Sequence, residues 1–78
     1  MALSSAILQM KPGFSDKTAS ALRKFPSVSI EGTTPKGEFI LVIEEENLNA
    51  LHDTCLEIEK IDGVLGLYPS YVTTEDES

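Results

Sequence analysis

The sequence has little positive charge, a single cysteine and no long hydrophobic run. Six lysines and arginines stand against thirteen aspartates and glutamates in 78 residues, which gives a net charge of −7. Binding to nucleic acids or to anionic membrane surfaces needs clustered lysine and arginine, so the charge argues against both partner classes. One cysteine cannot form an internal disulfide, and nothing in the sequence requires an oxidising compartment.

Signals for membrane insertion and secretion are missing as well. No stretch approaches the roughly 18 apolar residues of a membrane-spanning helix. Residues 1–11 lack the basic start and the continuous apolar region of a secretory signal. We therefore expect a soluble cytoplasmic protein whose acidic surface suits a basic partner, or serves solubility alone.

Motifs for catalysis and for metal or phosphate binding are lacking too. There is no C-x-x-C pair and no glycine-rich loop that opens a helix. His52 and Asp53 are neighbours on a predicted helix and do not face each other, which leaves no catalytic relay. Cys55 lies on an apolar stripe and reads as a small core residue, and Glu44–Glu46 read as a solvated acidic run. We predict no enzymatic activity, no metal and no cofactor.

What the sequence does contain is the pattern of one small domain with six elements. A hydrophobic share of 41% supports a packed core, and that core must be small in so short a chain. We assign the domain to residues 1–74 and an acidic flexible tail to residues 75–78. In chain order, the predicted elements are strand Leu3–Met10, a helix from Ser15 to Phe25, strands Ser27–Ile30 and Phe39–Ile43, a helix from Asn47 to before Gly63, and strand Val64–Thr73.

Local signals set the boundaries of the two helices. Ser15 and Asn47 are placed to cap the helix N-termini, and Arg23 and Lys24 suit the last turn of the first helix. Pro26 disfavours helical geometry at the residue before it and ends that helix. The predicted apolar stripes are Ala19, Leu22 and Phe25 on the first helix, and Leu48, Leu51, Cys55 and Ile58 on the second.

The strands carry signals for turns and edges. Val28 and Ile30 alternate with serines, as in an edge strand. Thr34–Gly37 has proline second and glycine fourth, as a type I turn prefers. Proline inside a strand is confined to edges and bulges, so a bend in the last strand is expected near Gly66 or Pro69.

The order β-α-β-β-α-β predicts an α+β fold of the ferredoxin-like, split β-α-β type. Each β-α-β half requires a right-handed crossover. The compact arrangement that satisfies both halves is a four-stranded antiparallel sheet with the two helices on one face.

Two helices can cover only one face of four strands, and the other face is predicted to be partly apolar. In the third strand, Phe39, Leu41 and Ile43 point to one side, so Ile40 and Val42 point to the other. We call the uncovered side the open face. Its predicted members are Ser5, Ile7 and Gln9 of the first strand, Glu38, Ile40, Val42 and Glu44 of the third, and Tyr68, Ser70 and Val72 of the last. Leu67 and Tyr71 are predicted to pack inward with Ala6, Leu8 and Met10.

Three interpretations of this apolar surface stay open from the pattern. It is an interaction surface with acidic borders. It is a central strand that tolerates exposed β-branched residues. Or it is the contact of a homodimer that stacks sheet on sheet.

Short motifs along nearly the whole chain resemble the NapD family. The matching segments are Ser5–Gln9 in the first strand, Leu22 with Phe25–Pro26 at the end of the first helix, Gly37–Glu44 over the third strand, Gly63–Leu65 with Tyr71, and the acidic residues Glu75–Glu77. Ser27 and Pro69 depart from the usual family pattern.

The resemblance implies a cytoplasmic assembly chaperone for the catalytic subunit of the periplasmic nitrate reductase. Family members bind the twin-arginine signal peptide of the precursor, which holds back export until the molybdenum cofactor has been inserted. In such a complex, apolar peptide residues would lie on Ile7, Ile40 and Val42. The arginines would approach Glu38, Glu44 or the acidic run beyond.

Two functions of other classes remain as alternatives. One is a regulatory domain of the same fold that binds a small molecule at a subunit interface. The other is a homodimeric structural subunit, and a weak homodimer is also compatible with the chaperone. The sequence leaves open whether a peptide binds as a helix on the open face or as a strand added at the edge Val28–Ile30.

Overall fold

A computed structural model describes residues 2–74, and their side chains as far as residue 70. All six predicted elements are present, in the predicted order. Their bounds are β1 (Ala2–Met10), α1 (Ser15–Leu22), β2 (Val28–Thr33), β3 (Phe39–Glu45), α2 (Leu48–Glu59) and β4 (Val64–Thr74). The acidic tail predicted at residues 75–78 lies outside the described residues.

The four strands form one antiparallel sheet in the order β2-β3-β1-β4. β1 pairs with both β3 and β4, and β2 pairs with β3, so β2 and β4 are the two edges. This order and the two crossover helices confirm the ferredoxin-like fold. The edge position predicted for the second strand is confirmed as well.

The core lies on one side of the sheet and alternates along the strands. In β1, Ala2, Ser4, Ala6 and Leu8 are buried while the residues between them are only half-buried. Phe39, Leu41 and Ile43 are buried in β3 in the same alternation. Leu22 of α1, together with Leu51 and Ile58 of α2, belongs to the same core cluster. Both helices therefore cover the same face, as predicted.

The first helix departs from its predicted boundaries. Ser15 is the first helical residue and not the cap, which is Phe14, and no side chain caps this end. The helix ends at Leu22, ahead of Arg23 and Lys24. Hydrogen bonds from residues 24 and 25 back to the carbonyls three residues earlier carry the chain on to Pro26 as tight turns. Tight turns of this kind are a common ending for short helices.

The second helix follows its predicted start more closely. The Oδ1 atom of Asn47 accepts a hydrogen bond from the backbone N–H of Ala50 at 2.8 Å, which confirms the cap. Leu51 and Ile58 are buried and Cys55 packs against the core. Leu48 was expected on this stripe but is 43% exposed at the first position of the helix. Within residues 2–74, neither helix is long and apolar enough to cross a membrane.

Bulges interrupt both edge strands. The register of β2 against β3 shifts between Ile30 and Gly32. β4 shifts twice against β1, at Leu65 and at Ser70, which lie on either side of the predicted sites Gly66 and Pro69. A bulge reverses the alternation of the residues beyond it. The predicted orientations of Tyr71 and Val72 concern side chains outside the described part of the chain.

A turn and a close contact complete the fold. The N–H of Gly37 bonds to the carbonyl of Thr34 at 2.9 Å, which closes the predicted turn. Gly63 adopts a φ of +94° between α2 and β4. A Cβ built on Gly63 would overlap the ring of Phe14 and would come within 2.9 Å of the Phe14 Cβ atom.

We expect Gly63→Ala to destabilise the protein more than Gly13→Ala does. Gly13 also has a positive φ, of +84°, but no atom lies within 4 Å of a Cβ placed there. Gly13→Ala should therefore cost only the left-handed backbone term, about 1–2 kcal/mol. Gly63→Ala should add an overpacking term of about 1–3 kcal/mol, because rotation of the Phe14 ring does not move its Cβ. Urea unfolding of the two variants measures the difference, and equal losses would contradict the contact.

Candidate functional site

An apolar row crosses the centre of the open face. Antiparallel pairing places Ile7 opposite Ile40 on one side and opposite Tyr68 on the other. Gly32 stands opposite Ile40 on the edge strand. Directly opposed residues have their side chains on the same face of a sheet. Three strands therefore contribute one continuous apolar strip, and both helices lie on the other face of the sheet.

A second, more polar row lies beside the first. Val42 is opposite Ser5 on β1 and opposite Ser29 on β2. One step further along, Leu3 is opposite Glu44. Ile7, Ile40 and Val42 are each half-buried.

Tyr68 lies along its own strand, over Gly66. A Cβ added to Gly66 would be 2.6 Å from the Tyr68 hydroxyl oxygen. The lack of a side chain at Gly66 therefore makes room for the ring on the open face. Tyr68 remains 54% exposed, so it offers an aromatic surface to a partner. Aromatic residues with a polar tip are enriched at interfaces for this reason.

At one end of the open face, Glu38 is held by neighbouring side chains. Its Oε2 accepts a hydrogen bond from Nε2 of Gln9 at 2.8 Å. Its Oε1 accepts a hydrogen bond from Oγ1 of Thr34 at 3.0 Å. The same Thr34 Oγ1 accepts a hydrogen bond from the backbone N–H of Glu38 at 3.1 Å. Both carboxylate oxygens are thus engaged within the protein.

At the other end, Glu44 borders an acidic cleft of about 440 Å³. Val42 and Ser29 form the side of the cleft that joins the open face. The remaining lining residues are Pro26, Ser27, Glu44, Glu45 and Glu46, with no lysine or arginine among them. The cleft is therefore a concentration of negative charge that continues directly from the apolar surface.

The sequence suggested that Glu44–Glu46 form a solvated acidic run, and for Glu45 this prediction is wrong. Glu45 is half-buried, and its Oε2 accepts hydrogen bonds from Oγ of Ser27 and from Oγ1 of Thr54, both at 2.5 Å. These two bonds, the Ser27 bond first, lower the pKa of Glu45, and burial opposes them only in part. The carboxylate thereby joins α2 to the segment that leads into β2.

The surroundings of His52, Asp53 and Cys55 do not favour catalysis. His52 and Asp53 are both exposed on α2. Burial, and to a smaller extent the charge of Glu59, raise the pKa of the Cys55 thiol. A protonated thiol is a weak nucleophile. Within the part of the chain that the structure describes, no three His, Cys, Asp or Glu side chains are grouped to hold a metal ion.

A second cavity, of about 330 Å³, lies between α2 and β4 on the covered side of the sheet. We call it the α2 groove. Its lining is mostly apolar and includes the exposed Leu48 and Leu56. Among the lining residues of the α2 groove, Glu59 is the one acidic residue, and there is no lysine or arginine.

Most of the predicted open-face residues are brought together as expected. Ser5, Ile7, Gln9, Glu38, Ile40, Val42, Glu44 and Tyr68 lie on the same face by parity or by register. Ser70 lies at a bulge, and its hydroxyl donates to the carbonyl of Ser5 at 3.1 Å. Whether any of these residues contacts a partner stays a prediction.

The sequence reasoning missed several residues of this surface. Leu3 has the same parity as Ser5 and Ile7, and Ser29 lies between the alternating Val28 and Ile30, so the period of two could have found both. No sequence signal places Pro26, Ser27 and Glu46 beside Val42. Those residues reach the cleft through loops and the pairing of β2 with β3.

The arrangement is suited to binding and not to bond-breaking chemistry. It offers an apolar strip contributed by three strands, with a carboxylate toward each end of the open face. A segment with neighbouring basic and apolar parts matches both features at once, because apolar burial holds it and charge selects it.

Comparisons with known proteins agree with this description. A family model described as NapD protein matches residues 1–76. The solution structure of the E. coli Tat proofreading chaperone protein NapD superposes with a TM-score of 0.80 at 25% sequence identity, over 97% of this chain and 81% of that one. No curated protein sequence matches the chain.

We expect Glu45→Gln to lower stability in a pH-dependent way. A carboxylate whose pKa is lower in the folded state stabilises the fold above its unfolded pKa of about 4.3, and loses that effect as the pH falls through the folded value. The free energy of unfolding should therefore differ most between wild type and variant near pH 7, and the two should converge as the pH falls below the lowered folded-state pKa. Urea unfolding across this range measures it. Glu46→Gln removes an exposed charge and serves as control, and a loss at Glu45 that is independent of pH would contradict the assignment.

Proposed function

The chain belongs to the NapD family and is a chaperone rather than an enzyme, and from this premise we propose that it binds the twin-arginine signal peptide of the periplasmic nitrate reductase precursor. The open face is the binding surface in this proposal. The chain acts in the cytoplasm, where the precursor is made, and holds back export until the cofactor has been inserted.

The observation that carries the proposal is the contact of an uncovered apolar row with an acidic cleft. Ile40, Ile7 and Tyr68 form the row, and Val42 joins it to the cleft beside Glu44. A twin-arginine signal has a basic segment followed by an apolar one. The surface presents the complement of each in the same order of adjacency.

Apolar burial supplies most of the affinity in this proposal. Removing apolar area from water is worth roughly 25 cal/mol per Å², so covering even part of the strip contributes several kcal/mol. Because Ile7, Ile40 and Val42 are half-buried, each still has surface that a partner can cover. A bound helix or strand would complete the second layer that the open face lacks.

Charge supplies selection and speed of encounter. The chain carries a net charge of −7, and three glutamates line the cleft. Arginine guanidinium groups form paired, charge-assisted hydrogen bonds with carboxylates, which lysine cannot reproduce with the same geometry. An acidic surface also repels acidic segments of other proteins.

Binding of this kind accounts for a chaperone's control of export. A signal peptide that lies on the open face has its arginines and apolar segment covered. It is then withheld from other receptors for as long as the complex lasts. Release depends on the dissociation rate, which is where most differences in affinity between related complexes reside.

An NMR titration tests the proposal directly. The ¹⁵N-labelled chain is mixed with a synthetic twin-arginine signal peptide and, separately, with a twin-lysine control. We expect shifts centred on Ile7, Ile40 and Val42, with weaker binding of the control. Shifts confined to the α2 groove would show that the peptide binds there and not on the open face. No shifts at any concentration would contradict the proposal. Light scattering of the free chain reports whether it forms a stable homodimer without peptide, as one of the two alternative functions requires.

A substitution on the strip should separate binding from folding. Val42→Lys should weaken peptide binding by about tenfold or more, since it places a charge in the apolar contact. It should leave the fold nearly intact, because a lysine at this half-exposed position can extend to solvent. Leu56→Lys is the matched control, since Leu56 is 44% exposed on the opposite side of the molecule. Unfolding of Val42→Lys would show that this side chain belongs to the core.

A further inference from the structure

The two acidic ends of the open face differ in their hydrogen bonding. Glu38 and Glu44 lie on the same side of β3, six residues apart, which corresponds to roughly 20 Å along a strand. Glu38 is half-buried, and both of its carboxylate oxygens already accept hydrogen bonds, from Gln9 and from Thr34. Glu44 is exposed at the mouth of the cleft. No side chain of residues 2–70 is hydrogen-bonded to the Glu44 carboxylate.

This difference changes what an arginine gains at each end. At Glu38, each carboxylate oxygen already accepts one hydrogen bond, from Gln9 or from Thr34, so a guanidinium group finds fewer unused acceptor sites there than on a carboxylate without such bonds. At Glu44, the same group makes new charge-assisted bonds. It also enters a cleft in which Glu45 and Glu46 add to the negative potential. The gain is therefore larger at the Glu44 end.

The apolar row that crosses the open face lies nearer to Glu38 than to Glu44. Ile40 and Ile7 are nearer to Glu38 than Val42 is, and Gly66, under the Tyr68 ring, is paired with Gln9. An apolar peptide segment that begins beyond the arginines would therefore meet Val42 first, then Ile40 with Ile7, and finally Tyr68. At that far end, the carboxylate of Glu38 accepts hydrogen bonds from Gln9 and Thr34.

Resting on the proposed function, we propose a single polarity for the bound peptide. Its arginine pair lies at the cleft beside Glu44, and its chain runs toward Glu38, antiparallel to β3 and parallel to β1. Glu44 is then the residue that recognises the arginine pair, while Glu38 does not contribute to the preference for arginine. The distance of roughly 20 Å is covered by about 13 residues of helix, or by about six residues of extended chain.

Spin labels on the peptide test this polarity. A nitroxide is attached to a cysteine placed either before the arginine pair or after the apolar segment, and the peptide is added to the ¹⁵N-labelled chain. The first label should broaden the amide signals of Ser29 and Val42 most, and the second those of Gln9 and Gly66. The reverse pattern overturns the polarity but leaves signal-peptide binding in place. Absence of binding overturns the polarity and the proposed function together.

A matched pair of substitutions tests the roles of the two glutamates. Glu44→Gln should weaken binding of the twin-arginine peptide roughly tenfold, since a charged hydrogen bond is lost. Glu38→Gln removes the same charge from the same face of the same strand and should change binding by less than about twofold. With a peptide that has glutamine in place of both arginines, the effect of Glu44→Gln should vanish. Equal effects of the two substitutions, or a larger one at Glu38, would overturn the assignment, and thermal melts check that both variants fold.

Discussion

Two helices of 8 and 12 residues lie against a sheet of four strands, and they can cover only one of its faces. The rest of the structure depends on this constraint. Among residues 2–70, the buried hydrophobic residues of the strands, from Ala2 and Leu8 to Leu41 and Ile43, belong to the face that the helices cover. The other face must be either polar or completed by something else. In this chain it is apolar at its centre, and the proposed function rests on that surface.

The acidic residues around that face have separate tasks, which their hydrogen bonds define. Glu45 points toward α2 and ties it to the start of β2, so its charge supports the fold. Glu38 is held by Gln9 and Thr34 at the far end of the strip. Glu44 has the same parity along β3 as Glu38 but lies at the opposite end of the open face, where it is exposed to solvent. Carboxylates of the same type thus differ in their surroundings: Glu45 links two elements, Glu38 is held by its neighbours, and Glu44 is exposed to solvent.

The sequence predicted the fold well where strong local patterns agreed with the packing. The period of two in β1 and β3 assigned both faces correctly, because burial on one side of a sheet enforces that alternation. Asn47 was identified as a cap because the cap is a local hydrogen bond. Prediction was weaker where several backbone geometries compete. The last residues of α1, the exposure of Leu48 and the two bulges of β4 depend on how each element docks, and no short motif specifies that.

The sequence by itself determined the element order, the sheet with one covered face and the acidic borders of the open one, since these follow from periodicity and charge along a single strand. Only the tertiary structure decided which residues stand side by side. Register aligned Ile40, Ile7 and Tyr68 in one row, and loop packing brought Pro26, Ser27 and Glu46 to the cleft beside Val42. It also decided that Glu38 accepts hydrogen bonds from Gln9 and Thr34, while Glu44 is exposed to solvent. Contacts between residues far apart in the chain depend on the register of several strands at once, which no local pattern in the sequence encodes.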